Sequence, residues 1–292
     1  MFEGFTSHTV AVGNDIEIAA VVGGDGPPLL LLHGYPQTHA CWCKIAPALA
    51  KRFTVVAADL RGYGASSKPP GGGDHAMYSK RAMAADQVAL MRAFGFGRFR
   101  LVGHDRGARV AHRLALDHPE VVKRLAVLDI CPTATMYAAT DKDFATAYYH
   151  WFFLIQPADF PERMIANNTH DYIRRTIASW CRTDGAFDEA AMRHYVEAYF
   201  DPAAIHAACE DYRAAATIDL AHDAESDAAG IQLTAPLLAL WGSRGTIGRM
   251  FDVLGSWRAK SEGSVEGRAI DCGHFLPEEA PEATLQALLD FF

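Results

Sequence analysis

The sequence predicts an α/β fold, a mostly parallel sheet flanked by helices, with an all-helical block inserted into it. Two patterns carry that prediction. Up to residue 132, short apolar runs of strand length alternate with longer segments of helical period, the pattern of strands each followed by a crossover helix. From about residue 135 to 227 no run reads as a strand, and the strand pattern resumes at Leu237. With 292 residues, 50% of them hydrophobic and 21% charged, the chain can bury a large core.

The first buried strand spans 29–32 and runs into His33-Gly34-Tyr35-Pro36. Thr38 offers a side-chain oxygen to cap a helix reaching Ala50. A strand over 54–58 ends at Asp59-Leu60-Arg61-Gly62-Tyr63-Gly64, a glycine-rich turn. After a loop with Pro69-Pro70 and Gly71-Gly72-Gly73, Ser79 starts a helix that reaches Phe94. Residues 99–102 form the next strand, 112–116 lie in a helix that must end before Pro119, and 125–128 form a strand ending at Asp129. The inserted block reads as helices over 141–156, 161–167, 171–182, 188–200 and 202–216, with Pro161 and Pro202 suited to first turns and Asp188 to a cap. Strands over 237–241 and 265–270 and a helix after Pro281 complete the pattern. The expected division is a sheet core, 1–132 and 233–292, and a helical cap, 133–232.

Lys+Arg number 27 against 35 Asp+Glu, a formal charge of -8, which excludes the basic footprint of a nucleic-acid binder. No apolar run approaches the roughly 20 residues of a membrane span, and Met1-Phe2-Glu3-Gly4 does not read as an export leader. The six cysteines form no C-x-x-C pair and the 13 histidines form no tract, so the thiols read as reduced and no metal is expected. The expectation is a cytoplasmic protein with neither membrane nor nucleic acid as partner.

Gly103-His104-Asp105-Arg106-Gly107 falls where a strand passes directly into a helix. Small residues flanking such a junction allow a sharp turn that lifts one side chain above the sheet at a helix N-terminus. That side chain is Asp105. A carboxylate nucleophile can displace a leaving group from saturated carbon and form an alkyl ester, so the electrophile is an alkyl halide or an epoxide. Hydrolysis of the ester needs a base, and His274 in Cys272-Gly273-His274-Phe275 follows the last strand, within reach of the same sheet edge. The base needs an orienting acid. The loop after 237–241 reads Gly242-Ser243-Arg244-Gly245-Thr246 and holds no carboxylate, which leaves Asp129.

These residues, with Ala108-Arg109 completing the elbow, resemble the fluoroacetate dehalogenases of the α/β-hydrolase superfamily. Further matching segments are His33-Gly34-Tyr35-Pro36-Gln37-Thr38-His39, Tyr78-Ser79-Lys80-Arg81, His150-Trp151, Asp211-Tyr212-Arg213-Ala214 and Gly273-His274-Phe275. The resemblance implies that Asp105 is the nucleophile, His274 the base and Asp129 its partner. It implies that Arg106 and Arg109 hold a substrate carboxylate, and that His150, Trp151 and Tyr212 hold the leaving halide. The backbone N–H groups of Tyr35 and Arg106 would form the oxyanion hole. Two guanidinium forks suit a carboxylate, and fluoride, strongly hydrated, needs imidazole, indole and phenol donors in place of water. The implied substrate is a small haloacid, fluoroacetate first and chloroacetate or other short 2-haloacids after it, with no cofactor and with a homodimer as the assembly. Tyr35 stands where this family carries Phe. The alternative is an epoxide hydrolase of the same fold, with Tyr212 and either Tyr148 or Tyr149 as the two phenols that protonate the opening oxygen.

Overall fold

A computed structural model describes residues 1–292. Eight strands form one sheet: β1 (Thr6–Gly13), β2 (Ile16–Gly23), β3 (Pro28–Leu32), β4 (Thr54–Ala58), β5 (Phe99–His104), β6 (Val122–Leu128), β7 (Leu237–Gly242) and β8 (Val265–Ile270). Their order is β1-β2-β4-β3-β5-β6-β7-β8. From β3 to β8 every pairing is parallel, while β1 pairs with β2 and β2 with β4 antiparallel. Leu29 to Leu32 and Leu125 to Leu128 are all fully buried, as strands covered by helices on both faces must be.

The order reverses at β3: the chain moves from β3 outward to β4, then returns to β5 on the other side. A crevice opens at the carboxyl ends of such a strand pair, where the following loops diverge. Here it is flanked by the His33-Gly34-Tyr35 loop and by Asp105.

Before the insertion come α1 (Ala46–Leu49), α2 (Lys80–Ala93) and α3 (Arg106–Asp117). Between β6 and β7 lie α4 (Thr133–Ala138), α5 (Lys142–Ala147), α6 (Tyr149–Leu154), α7 (Phe160–Ala166), α8 (Thr169–Trp180), α9 (Glu189–Ala198), α10 (Pro202–Ala216) and α11 (Ile218–Ala228). After β7 follow α12 (Ile247–Met250) and α13 (Val253–Arg258), and after β8 α14 (Leu276–Glu279) and α15 (Pro281–Phe291).

The chain departs from the sequence expectations at several points. The β1–β2 hairpin was not anticipated; β1 alternates between exposed and half-buried residues at the sheet edge and offers little apolar signal. Thr38 caps a four-residue 3-10 helix, His39–Trp42, rather than a helix to Ala50. A new helix begins at Ala46 with Pro47 in its first turn, because the proline ring would clash inside a continuous helix. The expected helix over 141–156 is two helices meeting at Tyr148, whose φ of -111° and ψ of 35° are not helical. Helices α4 and α11 were not anticipated. Asp188 occupies the cap position of α9, but its side chain makes no capping bond.

Candidate active site

Asp105 sits at φ 48° and ψ -115° between β5 and α3, a conformation that costs about 1–3 kcal/mol for a residue with a side chain. Its side chain makes no capping bond to α3. Oδ1 instead accepts the backbone N–H of Tyr35 at 2.9 Å. The flanking glycines permit the turn by close approach. A Cβ on Gly103 would lie 2.4 Å from Cα of Ala108, and one on Gly107 2.4 Å from the carbonyl oxygens of Leu32 and His33.

Nδ1 of His274 lies 2.6 Å from Oδ2 of Asp129, and its Nε2 lies 3.9 Å from Oδ2 of Asp105. The other oxygen of Asp129 accepts the N–H of Gly242 at 2.9 Å, so β7 supplies a donor to an acid carried by β6. Burial pushes the Asp105 carboxyl up, but the charges of His274, then His104, Arg109 and Arg106, outweigh it and hold it below its ordinary value. For His274 burial acts against the imidazolium, yet the hydrogen bond and charge of Asp129, then the charge of Asp105, raise its pKa above the ordinary histidine value.

Arg106 and Arg109 project from the first turn of α3 and are buried. Asp211 on α10 accepts from Nε and Nη2 of Arg106, each at 2.8 Å, and its backbone carbonyl takes a further 2.8 Å bond from Nη2. Lys80 and the Tyr63 hydroxyl also bond to the Asp211 carboxylate. Only Nη1 of Arg106 is left unpartnered. Arg109 has no carboxylate partner: Nη1 donates to the Thr133 hydroxyl at 2.9 Å and the Cys131 carbonyl at 3.3 Å, Nη2 faces the Met136 sulfur, and Nε is unpartnered. Both guanidinium groups lie over rings, Arg106 over Tyr212 at 4.2 Å and Arg109 over Trp151 at 4.8 Å. The Tyr212 ring is 5.6 Å from that of His150 and 6.5 Å from that of Trp151. The Tyr212 hydroxyl and Nδ1 of His150 are buried without partners. Burial lowers the His150 pKa to about 3, so this imidazole is neutral.

Residues 27–281 match the family model of the alpha/beta hydrolase fold. The chain belongs to the α/β-hydrolase family. A fluoroacetate dehalogenase from a Burkholderia species is 47% identical, over 100% of this chain and 95% of that protein. A soluble epoxide hydrolase from a Corynebacterium species is 36% identical over 98% and 97% of the two chains. A solved structure from Nostoc sp PCC 7120 is 55% identical with a TM-score of 0.97, covering 100% of this chain and 99% of that one.

Within this α/β hydrolase, a cavity of about 20 Å³ is lined by residues of the inserted helices and of the strand ends and their loops. That space admits one or two water-sized groups. Asp105, Asp129, His274 and His150 line it, while Arg106, Arg109, Trp151 and Tyr212 do not. Its remaining wall is built partly by Tyr148, Trp180 and Arg182, of which the sequence singled out only Tyr148. Trp180 packs 4.5 Å from the His150 ring and 5.5 Å from the His274 ring. An aromatic residue at the end of a helix looks like core in a sequence, so nothing there marked it. Tyr137 was missed for the same reason; its buried hydroxyl has no partner and its ring is 4.8 Å from that of Trp151. Tyr35 turns its hydroxyl toward that of Tyr172, 3.2 Å away, so its ring rather than its polar end faces His150 and Tyr212.

Proposed function

We propose that this protein cleaves the carbon–halogen bond of short 2-haloacids, fluoroacetate first, through an ester on Asp105. The observation that carries this reading is Arg109: a buried guanidinium beside the elbow, with neutral partners only and one nitrogen free. A buried cation with no carboxylate in hydrogen-bond contact is costly, and a substrate carboxylate supplies that contact. Nη1 of Arg106 is the second available donor. A neutral alkyl halide or epoxide would leave both unanswered.

In the first step a carboxylate oxygen of Asp105 attacks the methylene carbon, and fluoride leaves with the bonding pair. Donors from His150, Trp151 and Tyr212 replace the water that a small anion sheds. In the second step His274 takes a proton from a water that attacks the ester carbonyl of Asp105. The 3.9 Å between Nε2 and Oδ2 is loose for a direct hydrogen bond and suits a base acting on a third group. Asp129 orients the imidazole and stabilises its charge. The backbone N–H groups of Tyr35 and Arg106 receive the developing oxyanion, and glycolate departs.

The same reading makes residues 133–232 a cap over the site. It also includes a homodimer, supported by the exposed Phe160 and Met164 one turn apart on α7, and a cytoplasmic setting, supported by six unpaired cysteines. The second reading is epoxide hydrolysis, favoured by the Tyr148 side of the cavity facing Asp105 and by the unpartnered Tyr212 hydroxyl. Tyr149 is half exposed and does not suit the second phenol.

Fluoride-electrode assays on fluoroacetate, chloride release from chloroacetate and diol formation from a neutral epoxide separate the two. Halide release with no diol is the expected result. Diol formation without halide release would replace the dehalogenase reading with the epoxide one.

A further inference from the structure

Glu279, the last residue of α14, is buried, and its carboxylate meets no lysine, arginine or histidine within ion-pair distance. Three backbone donors serve it. Oε1 accepts the N–H of Phe275 at 2.9 Å, and Oε2 accepts the N–H groups of Gly273 at 2.9 Å and Arg182 at 2.7 Å. Gly273 and Phe275 are the two chain neighbours of His274. Arg182 lies just past the C-terminus of α8, in the inserted block.

The remaining main-chain groups of His274 are also tied. Its N–H donates to the carbonyl of Trp180 at 3.2 Å, and its own carbonyl faces Nε2 of His104 at 2.8 Å. A Cβ on Gly273 would lie 2.5 Å from the Trp180 carbonyl oxygen and 2.8 Å from Oε1 of Glu279. That loop therefore fits against α8 and Glu279 only because a glycine stands there. Three N–H bonds on an ionised acceptor are of the stronger, charge-assisted kind. No other carboxylate in the molecule accepts from both sides of one side chain in the cavity wall.

We propose that Glu279 is a positioning residue for His274, clamping the backbone on both sides of the base and latching the end of α8 to the same loop. This rests on the reading of His274 as the base of the hydrolytic step. Asp129 and Asp105 face the imidazole from β6 and the elbow, with His104 behind it, and the charge of Glu279 acts in the same direction as the two aspartates.

A residue that acts through His274 should affect only the step that uses His274. Ester formation needs Asp105 and the halide donors; ester hydrolysis needs the base. Glu279→Gln places an amide N–H₂ where one acceptor oxygen now stands, opposing the backbone donors. The expected result is a first-turnover burst of fluoride at the unaltered rate, followed by steady-state turnover slowed about ten- to a hundredfold, the range that a misplacement of about 1 Å produces. Acid-quenched enzyme should carry a carboxymethyl group on Asp105. Glu279→Asp keeps the charge but is one methylene short, and should show the same burst with a smaller loss. Equal slowing of both phases, or turnover at the unaltered rate, would overturn the proposal. Amide hydrogen exchange at Gly273 and Phe275 in the unaltered enzyme gives a test independent of how the variants fold: strong protection supports the clamp, and free exchange refutes it. His274→Asn serves as the control, for if it accumulates no ester the nucleophile and base assignments fail whatever Glu279 does.

Discussion

Asp211 takes two of the three guanidinium nitrogens of Arg106 through bonds of 2.8 Å and leaves Nη1 free. The pair is fully buried, and Lys80 adds a second cation to the same carboxylate. Asp211→Asn would strand the buried Arg106, while Lys80 keeps Asp219 at 3.3 Å. Losing one partner of a buried pair costs about 3–5 kcal/mol, so urea denaturation should show a loss of that size, with a raised Michaelis constant for fluoroacetate. A variant as stable as the parent would show that the network carries no such weight.

His274→Asn should stop the reaction half-way. Halide displacement remains possible, water activation does not, and the protein should gain one carboxymethyl group on exposure to fluoroacetate. Peptide mapping is expected to find it on Asp105. An adduct elsewhere, or normal turnover, would remove Asp105 from the role of nucleophile.

Arg109→Leu removes a buried cation whose hydrogen bonds go to neutral groups only. Truncating a desolvated charged contact costs on the order of 2–5 kcal/mol, which should nearly abolish use of haloacetates while fluoroacetamide remains a poor substrate of both proteins. Unchanged kinetic constants for fluoroacetate would dismiss the carboxylate clamp.

Trp151→Phe and Tyr212→Phe test the halide donors cleanly, because each keeps a ring beneath its arginine and loses only the N–H or O–H. Removing one preorganised donor costs about 2.7–4 kcal/mol, a hundred- to a thousandfold in rate. Chloride is less basic and leaves more easily, so chloroacetate should suffer far less than fluoroacetate. Equal losses, with chemistry rate-limiting, would reduce these residues to packing.

The pH dependence should differ between the two steps. His274 acts as base only when neutral, and in the free enzyme Asp129 and then Asp105 raise its pKa against burial; once Asp105 is an uncharged ester only the Asp129 part of that effect remains, and hydrolysis is lost as pH falls through the value His274 holds in the ester. Asp105 is held below its ordinary value and stays ionised to lower pH. Rapid-quench measurements should find the fluoride burst persisting at pH values where steady-state turnover has already declined. A common acid limb for both would contradict the division of labour.

Most of the parallel strands were legible because each contains a short apolar run, β8 with Glu266 and Arg268 being the exception, and the Asp105 elbow because its glycines and strand-to-helix junction leave a local signature. Asp129 and His274 were legible from their places at strand ends. The β1–β2 hairpin escaped because an edge strand with one exposed face carries weak patterning. Trp180, Tyr137 and Glu279 escaped because what they do depends on long-range packing: Glu279 meets Arg182 across 97 positions of chain, and no local spacing encodes that contact.

The latch at Glu279 bears on how such a protein can be rebuilt. Asp105, Asp129 and His274 all lie outside the helices from α4 to α11, so a chimera that exchanged those helices for another set would carry all three across untouched. It would nonetheless lose the Trp180 carbonyl and the Arg182 N–H, two of the groups that hold the His274 loop in place. Grafting a new specificity onto this scaffold therefore demands that the donor segment reproduce one backbone acceptor and one backbone donor at the end of its equivalent of α8, whatever residues it brings to the pocket.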